Sequence, residues 1–175
     1  MNTKIYNVLF LSVGNSARSI MAEAILNHTG NDRFRAFSAG SMPAERVSPF
    51  AMEQIQLARM STDALHCKNW SMFTSHDAPV FDFVFTVCDE IKLEHLPAWK
   101  GQPFTANWSV DDPNIFEGNL SEKRRAFLKS FTQLNWRISI FTSLSLTNLN
   151  APSLKIELDN ISKLEDRRKS LEPRQ

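Results

Sequence analysis

The sequence has few cysteines, few glycines and no long apolar run. Its 175 residues include two cysteines, five glycines and one tyrosine, with a formal net charge of +1. Two cysteines are too few for a disulfide-stabilised scaffold and are typical of a reducing compartment, so we expect a cytoplasmic protein. No stretch approaches the roughly 20 apolar residues of a transmembrane helix. The small net charge argues against nucleic acid or a membrane surface as a partner.

Short apolar segments alternate with helical patterns over most of the chain. Apolar runs predict strands at residues 5–12, 34–40, 81–88 and 103–110. Three helical patterns are present: one with Met21, Ala24, Ile25 and His28 on its buried side and Gly30 at its end, one from Ser48-Pro49, and a long one from Ser121 to about Leu144. This alternation predicts an α/β fold, a parallel sheet with helices on both faces, in which ligands bind at the carboxyl ends of the strands.

The chain after the long helix is interpreted as an appendage. Residues 145–152 have the composition of a connector, and Leu154, Leu158 and Ile161 have the spacing of a short last helix. A charged tail follows this helix. We therefore expect one domain over residues 1–147, with residues 148–175 forming a helix and tail that are not an independent domain.

The loop between the first strand and the first helix contains the stretch "LSVGNSARS", residues 11–19. Backbone N–H groups at a helix N-terminus point into one concavity, where the helix dipole favours negative charge. Asn15 tolerates a left-handed conformation, and Arg18 offers a fork of donors that matches a tetrahedral oxyanion. The stretch is neither a nucleoside triphosphatase loop nor a G-x-S-x-G elbow. It predicts a site for arsenate, phosphate or sulfate formed by Val13, Gly14, Asn15, Ser16, Ala17, Arg18 and Ser19.

The segment "NVLFLSVGNSARSIMAEAI" closely resembles the active-site segment of a known superfamily: the low-molecular-weight tyrosine phosphatases and the thiol-dependent arsenate reductases that share their fold. In that family the loop contains Cys-x5-Arg followed by Ser. Ser12 stands at the cysteine position, Arg18 at the arginine position and Ser19 at the serine position. The similarity continues in "SAG" (38–40), "FVFTVCD" (83–89) and Asp112-Pro113. It implies a three-layer fold with a four-stranded parallel sheet flanked by helices.

The same resemblance favours the arsenate reductases over the phosphatases. Phosphatases usually follow Asp-Pro with aromatic residues, whereas this chain has Asn114 and Ile115. Reductases carry a second cysteine after the third strand, and Cys88 fits that position. Asp112 corresponds to the general acid of the phosphatase mechanism, although the adjacent Asp111 leaves the register open by one residue. The implied catalytic set is Ser12 (at the nucleophile position), Arg18, Cys88 and Asp112.

Ser12 is the main departure from the family pattern. A cysteine at this position, at a helix N-terminus beside an arginine, has a lowered pKa and attacks as a thiolate. A serine needs a nearby base to become a nucleophile, and its oxygen cannot form the sulfur linkages of the redox cycle. We therefore expect the chain to bind an oxyanion without turning it over. Near residue 96, many relatives carry a further cysteine of the thiol relay, and this sequence has Leu96 there. Relatives that use a small thiol or glutaredoxin need fewer cysteines.

Three hypotheses stay open at the level of sequence: an arsenate reductase whose nucleophilic cysteine was replaced by design, a naturally divergent homologue that binds an oxyanion or a phosphoprotein without catalysis, and a low-molecular-weight protein tyrosine phosphatase. The resemblance implies no bound cofactor, and thioredoxin, glutaredoxin or a small thiol as the reductant in active relatives. The four histidines lack metal-ligand spacing, so no metal is expected. Cys67 has no motif around it and is interpreted as structural. We expect a monomer or a weak dimer.

Overall fold

The sheet of the computed structural model, which describes residues 3–163, contains four parallel strands in the order β2-β1-β3-β4. The strands are β1 Tyr6–Ser12, β2 Phe34–Gly40, β3 Phe83–Thr86 and β4 Phe104–Asn107. The predicted α/β fold with a four-stranded parallel sheet is therefore confirmed. The third and fourth strands are shorter than the predicted 81–88 and 103–110, because their one-to-one pairing covers only 83–86 and 104–107. Beyond the pairing only single hydrogen bonds continue, such as that from the Val87 N–H to the Leu11 carbonyl oxygen.

Within the described residues, four α-helices connect and cover the strands: α1 Arg18–Thr29, α2 Pro49–Leu57, α3 Leu120–Ser143 and α4 Ala151–Ile161. The long helix α3 begins at a capping box, in which the Asn119 side chain accepts from the Glu122 backbone N–H and the Glu122 carboxylate accepts from the Asn119 N–H. Asn150 is the N-cap of α4, and its side-chain oxygen accepts from the Ser153 backbone N–H. No helix in residues 3–163 combines the length and the apolar character needed to cross a membrane.

The core lies on both faces of the sheet. On one face α1, α3 and α4 pack over aromatic side chains, with the Phe85 and Trp108 rings stacked at 3.7 Å between centroids and Phe141 edge-on to both. On the other face, a smaller cluster surrounds Phe81 and includes Cys88. The apolar character of β1 and β3 follows from this arrangement, because both strands are covered on both sides.

The buried side of α1 ends earlier than predicted. Its residues from Arg18 to Leu26 are buried, but Asn27 and His28 are exposed. The prediction that His28 lies on the buried stripe is wrong, because in the last turn of the helix Asn27 faces β2 and bonds to Ala36, whereas the His28 side chain is exposed. Gly30 does follow the helix as predicted; a β-carbon there would lie 2.7 Å from the carbonyl oxygen of Leu26, so close packing favours glycine at this position.

Helix α4 packs onto the edge of the sheet. Leu154, Leu158 and Ile161 are buried, as their spacing predicted, and the indole N–H of Trp108 donates to the carbonyl oxygen of Leu158 at 2.9 Å. The helix thereby covers part of strand β4. The predicted charged tail covers residues 163–175, and all of it after Lys163 lies outside the described residues. The division into residues 1–147 and 148–175 stays a prediction.

Candidate functional site

The loop between β1 and α1 encloses a small concavity at the carboxyl end of the sheet. The concavity has a volume of about 250 Å³. Its lining residues are Ser12, Val13, Gly14, Asn15, Ser16, Ala17, Arg18, Glu90, Asp112 and Asn114. Six of the seven residues predicted to bind an oxyanion therefore surround one space. The seventh, Ser19, is fully buried in the first turn of α1, behind the loop.

Asn15 holds the loop in shape. Its backbone has φ of 45°, the left-handed region that asparagine tolerates better than most residues. Its side-chain amide donates to the hydroxyls of Ser19 (2.8 Å) and Ser38 (2.9 Å), and its carbonyl accepts from the backbone N–H of Lys68 (2.8 Å). Since Asn15 is fully buried, these three bonds replace water entirely and fix the turn of the loop.

Ser12 lies at the end of β1 with its hydroxyl beneath the loop. Its Oγ shares a hydrogen bond with the Oγ of Ser19 at 2.6 Å, and both residues are buried. This partner is a second hydroxyl, which is far too weak a base to take the proton of a serine. The contact places the Ser19 hydroxyl within hydrogen-bond distance of the atom at the nucleophile position. It does not supply the base that a serine nucleophile requires.

Arg18 joins the loop to the segment that follows β4. It is 6% exposed, and its guanidinium donates to Asp112 Oδ2 at 3.0 Å and to the carbonyl oxygen of Val110 at 3.2 Å. Asp111 points away and pairs instead with Lys129 at 3.2 Å. Of the two adjacent aspartates, Asp112 is therefore the one that reaches the loop.

The 3₁₀ turn at Pro113–Ile115 adds a second contact with the loop. The Asp112 carboxylate caps this turn by accepting from the backbone N–H of Asn114 at 3.0 Å. The Asn114 side chain donates to the Ser16 hydroxyl at 3.1 Å. The Asp-Pro segment is thus tied to the loop at both Arg18 and Ser16, which fixes one wall of the concavity.

A buried polar cluster supports the loop from below. The Ser38 hydroxyl donates to the carboxylate of Glu23, and the Lys68 ammonium lies 3.4 Å from the same carboxylate. Burial raises the pKa of Glu23, and the charge of Lys68 opposes that shift. Through Ser38 and Asn15 the cluster continues to Ser19 and Ser12.

Cys88 lies next to the concavity but does not line it. The residue follows β3, is fully buried in the smaller core cluster and is a free thiol. Burial raises the pKa of its thiol, while the backbone N–H of Ile91 and the charge of Arg18 lower it. The other free thiol, Cys67, is half-buried, and burial raises its pKa as well.

Lys68 and Glu90 belong to no sequence motif, and Asn114 stands out in the sequence only as a departure from the phosphatase pattern. Lys68, Glu90 and Asn114 reach the loop from segments far away in the sequence. For Glu23, the available sequence signal was its position one turn after Ser19 on the helix that begins at the loop. Within residues 3–163, no group of three His, Cys, Asp or Glu side chains is arranged to hold a metal ion.

Comparisons with known proteins define the class to which this fold and loop belong. The chain belongs to the family described as low molecular weight phosphotyrosine protein phosphatase, whose model matches residues 7–141. Within it, the chain is similar to the arsenate reductase of Shouchella clausii, with 30% identity over 146 residues, 81% of this chain and 96% of the relative.

Two solved structures extend the likeness to three dimensions. An arsenate reductase in its phosphate-binding state has a TM-score of 0.66 and 22% identity, covering 79% of this chain and 98% of its own. A thioredoxin-dependent arsenate reductase of Corynebacterium glutamicum has a TM-score of 0.60 and 22% identity, covering 85% of this chain and 66% of its own. At this identity the two structures support the fold, and the arsenate reductase assignment rests on the curated relative.

Proposed function

We propose that this chain is an arsenate reductase homologue that binds a tetrahedral oxyanion in the loop at residues 12–18 and performs no reduction, because Ser12 stands at the position of the nucleophile. The observation that carries the proposal is the contact of Ser12 Oγ with Ser19 Oγ at 2.6 Å. A hydroxyl paired with a hydroxyl has no route to an alkoxide at neutral pH.

The binding half of the proposal rests on the geometry of the loop. Residues 12–17, whose backbone leads into the N-terminus of α1, line the concavity together with Arg18. Backbone N–H groups at a helix N-terminus offer the donors and the partial positive charge that an oxyanion needs. We assign oxyanion contact to the loop residues Val13 to Arg18, and a supporting role under the loop to Ser19.

The remaining catalytic positions keep the form of a working site. Asp112 stands beside Arg18, where a general acid would protonate a leaving oxygen. We assign Cys88, buried next to the concavity, as the second thiol of a relay, and it would have to become exposed to react. Each of these two roles needs a thiol at position 12 to begin the reaction.

The relatives suggest the reductant of such a reaction. One structural neighbour is described as thioredoxin-dependent. We propose thioredoxin, glutaredoxin or a small thiol as the electron donor for a form of the protein with cysteine at position 12. We also propose a cytoplasmic monomer or weak dimer without a bound cofactor, since both cysteines are free thiols, as expected in a reducing compartment.

The experiment is to restore the nucleophile. Ser12→Cys and the unmodified chain are incubated with arsenate and with thioredoxin, glutaredoxin and glutathione in turn, and arsenite is measured. We expect arsenite from the variant alone. A second variant, Ser12→Cys with Cys88→Ser, shows whether Cys88 acts in the relay: loss of turnover supports that role, and retained turnover contradicts it.

Hydrolysis of phosphotyrosine by the same variant tests the phosphatase alternative. A folded Ser12→Cys variant that hydrolyses phosphotyrosine and forms no arsenite with any reductant would overturn the reductase assignment in favour of a phosphatase. Folding is checked by comparing the urea unfolding midpoints of the variant and the unmodified chain.

A further inference from the structure

The concavity contains more negative than positive side chains, although it is built for an anion. Arg18 is the one cationic side chain among its lining residues, and Asp112 and Glu90 are both carboxylates. Asp112 contacts the guanidinium at 3.0 Å, and Glu90 approaches it at 3.8 Å from another segment. An incoming anion therefore meets two like charges at the arginine that should hold it.

The two carboxylates give the concavity acceptors as well as donors. Each oxygen of a carboxylate can accept more than one hydrogen bond. Asp112 Oδ2 accepts from Arg18 and Oδ1 accepts from the Asn114 N–H, so both oxygens keep acceptor capacity. The Glu90 side chain is 56% exposed, and its contact with Arg18 is long, at 3.8 Å, so its oxygens also keep acceptor capacity.

Hydrogen arsenate and hydrogen phosphate carry a proton at neutral pH, whereas sulfate carries none. A protonated oxyanion can accept hydrogen bonds from the loop and Arg18 and donate its own O–H to a carboxylate. Sulfate can make only the first set of contacts, and it places a bare oxygen against the carboxylate. A carboxylate that faces a bare oxygen of sulfate but accepts a hydrogen bond from hydrogen phosphate or hydrogen arsenate therefore favours the protonated anions over sulfate.

We propose that Asp112 and Glu90 are specificity-determining residues that make the loop select protonated tetrahedral oxyanions, hydrogen arsenate and hydrogen phosphate, and reject sulfate. This inference rests on the proposed oxyanion function and narrows the ligand class of the same site. The loop sequence predicts a site for arsenate, phosphate or sulfate without ranking them, whereas the two carboxylates place sulfate below the other two in affinity. Asp112 has the larger effect, since it is less exposed and directly bonded to Arg18.

The test is calorimetric titration of the full chain at neutral pH with sodium phosphate, arsenate and sulfate at matched ionic strength. We expect sulfate to bind at least about tenfold more weakly than phosphate, which is the scale of one charge-assisted hydrogen bond. In Asp112→Asn the phosphate-to-sulfate ratio should fall toward one. Glu90→Gln should lower it by a smaller factor, and it provides a second readout at a more exposed position.

Matched controls separate acceptor geometry from net charge. Asp111→Asn removes the same charge one residue away, at a side chain that is 82% exposed and pairs with Lys129 outside the concavity. Asp89→Asn removes one negative charge beside Glu90, at an exposed carboxylate that accepts a hydrogen bond from the side-chain amide of Asn107. Neither control should change the ratio. An equal change in the controls and in Asp112→Asn would overturn the proposal.

The outcomes also separate this inference from the proposed function. Similar affinities for all three anions would overturn the selectivity and leave the oxyanion site standing. No heat and no competition with any of the three anions would overturn the oxyanion site itself, and the selectivity with it. Phosphate and arsenate binding with weak sulfate binding, together with a lower ratio in Asp112→Asn alone among the aspartate variants, would support both.

Discussion

Replacing Asn15 by alanine should destabilise the protein and weaken its hold on oxyanions, because this one side chain fixes the loop. The change removes three buried hydrogen bonds, to Ser19, Ser38 and the backbone N–H of Lys68. Each bond contributes about 1 kcal/mol, and a buried N–H left without an acceptor costs about 1–3 kcal/mol. Alanine at φ of 45° adds about 1 kcal/mol of backbone strain. Counting the two bonds that the amide donates, the Lys68 N–H once as a donor left without an acceptor, and the backbone strain, we expect a loss of about 4–6 kcal/mol.

Two further variants divide this loss into its parts. Asn15→Gly removes the same hydrogen bonds without the backbone strain, so it should lose about 1 kcal/mol less than Asn15→Ala. Asn148→Ala is the matched control, because its amide is exposed and its one contact, to Ser145, is 3.4 Å long. It should change stability by no more than about 0.5 kcal/mol.

Urea unfolding followed by tryptophan fluorescence measures the free energies, and phosphate titration of the folded variants measures the loop. A loss below about 1 kcal/mol in Asn15→Ala, with phosphate affinity unchanged, would refute the role of Asn15. Equal losses in Asn15→Gly and Asn15→Ala would refute the strain part of the estimate alone.

Two further substitutions and one labelling experiment test the packing around the loop and α4 and the burial of Cys88. Gly40→Ala places a β-carbon against the carbonyl oxygen of Val13. We therefore expect the free energy of unfolding in urea to fall by about 1–3 kcal/mol and phosphate to bind more weakly. Unchanged stability and unchanged phosphate affinity would contradict this. Leu158→Ala should cost about 2–5 kcal/mol, against less than about 0.5 kcal/mol for the exposed Ile156→Ala, and equal losses would show that α4 does not pack on the core. In native protein near pH 7, iodoacetamide should modify Cys88 very slowly, because burial both hides it and raises its pKa; the rate should rise with pH, and rapid labelling at neutral pH would contradict the burial.

Elements formed by continuous local patterns were predictable from the sequence. The apolar run of β1, the regular spacing of α3 and the buried positions of α4 each identify an element without knowledge of its neighbours. The end of β3 and the exposure of His28 were not predictable in this way. Both depend on contacts with another element, the pairing with β4 in the first case and the side of α1 that faces β2 in the second.

The site divides along the same line. The loop from Ser12 to Arg18 is one segment, so its residues could be predicted together from their order along the chain. Lys68 and Glu90 approach it from other segments through tertiary packing. The spacing of residues along the sequence carries no information about such contacts. The position of the Glu90 carboxylate beside Arg18 could therefore be determined only from the structure.

The most direct test of the central claim is to measure arsenate binding and arsenite formation in the same sample of the unmodified chain, with thioredoxin and its reducing system present. The predicted result is saturable arsenate binding with arsenite no higher than in a protein-free blank, because the loop binds the anion while Ser12 supplies no nucleophile. Arsenite above the blank, or arsenate that fails to bind, would contradict the claim.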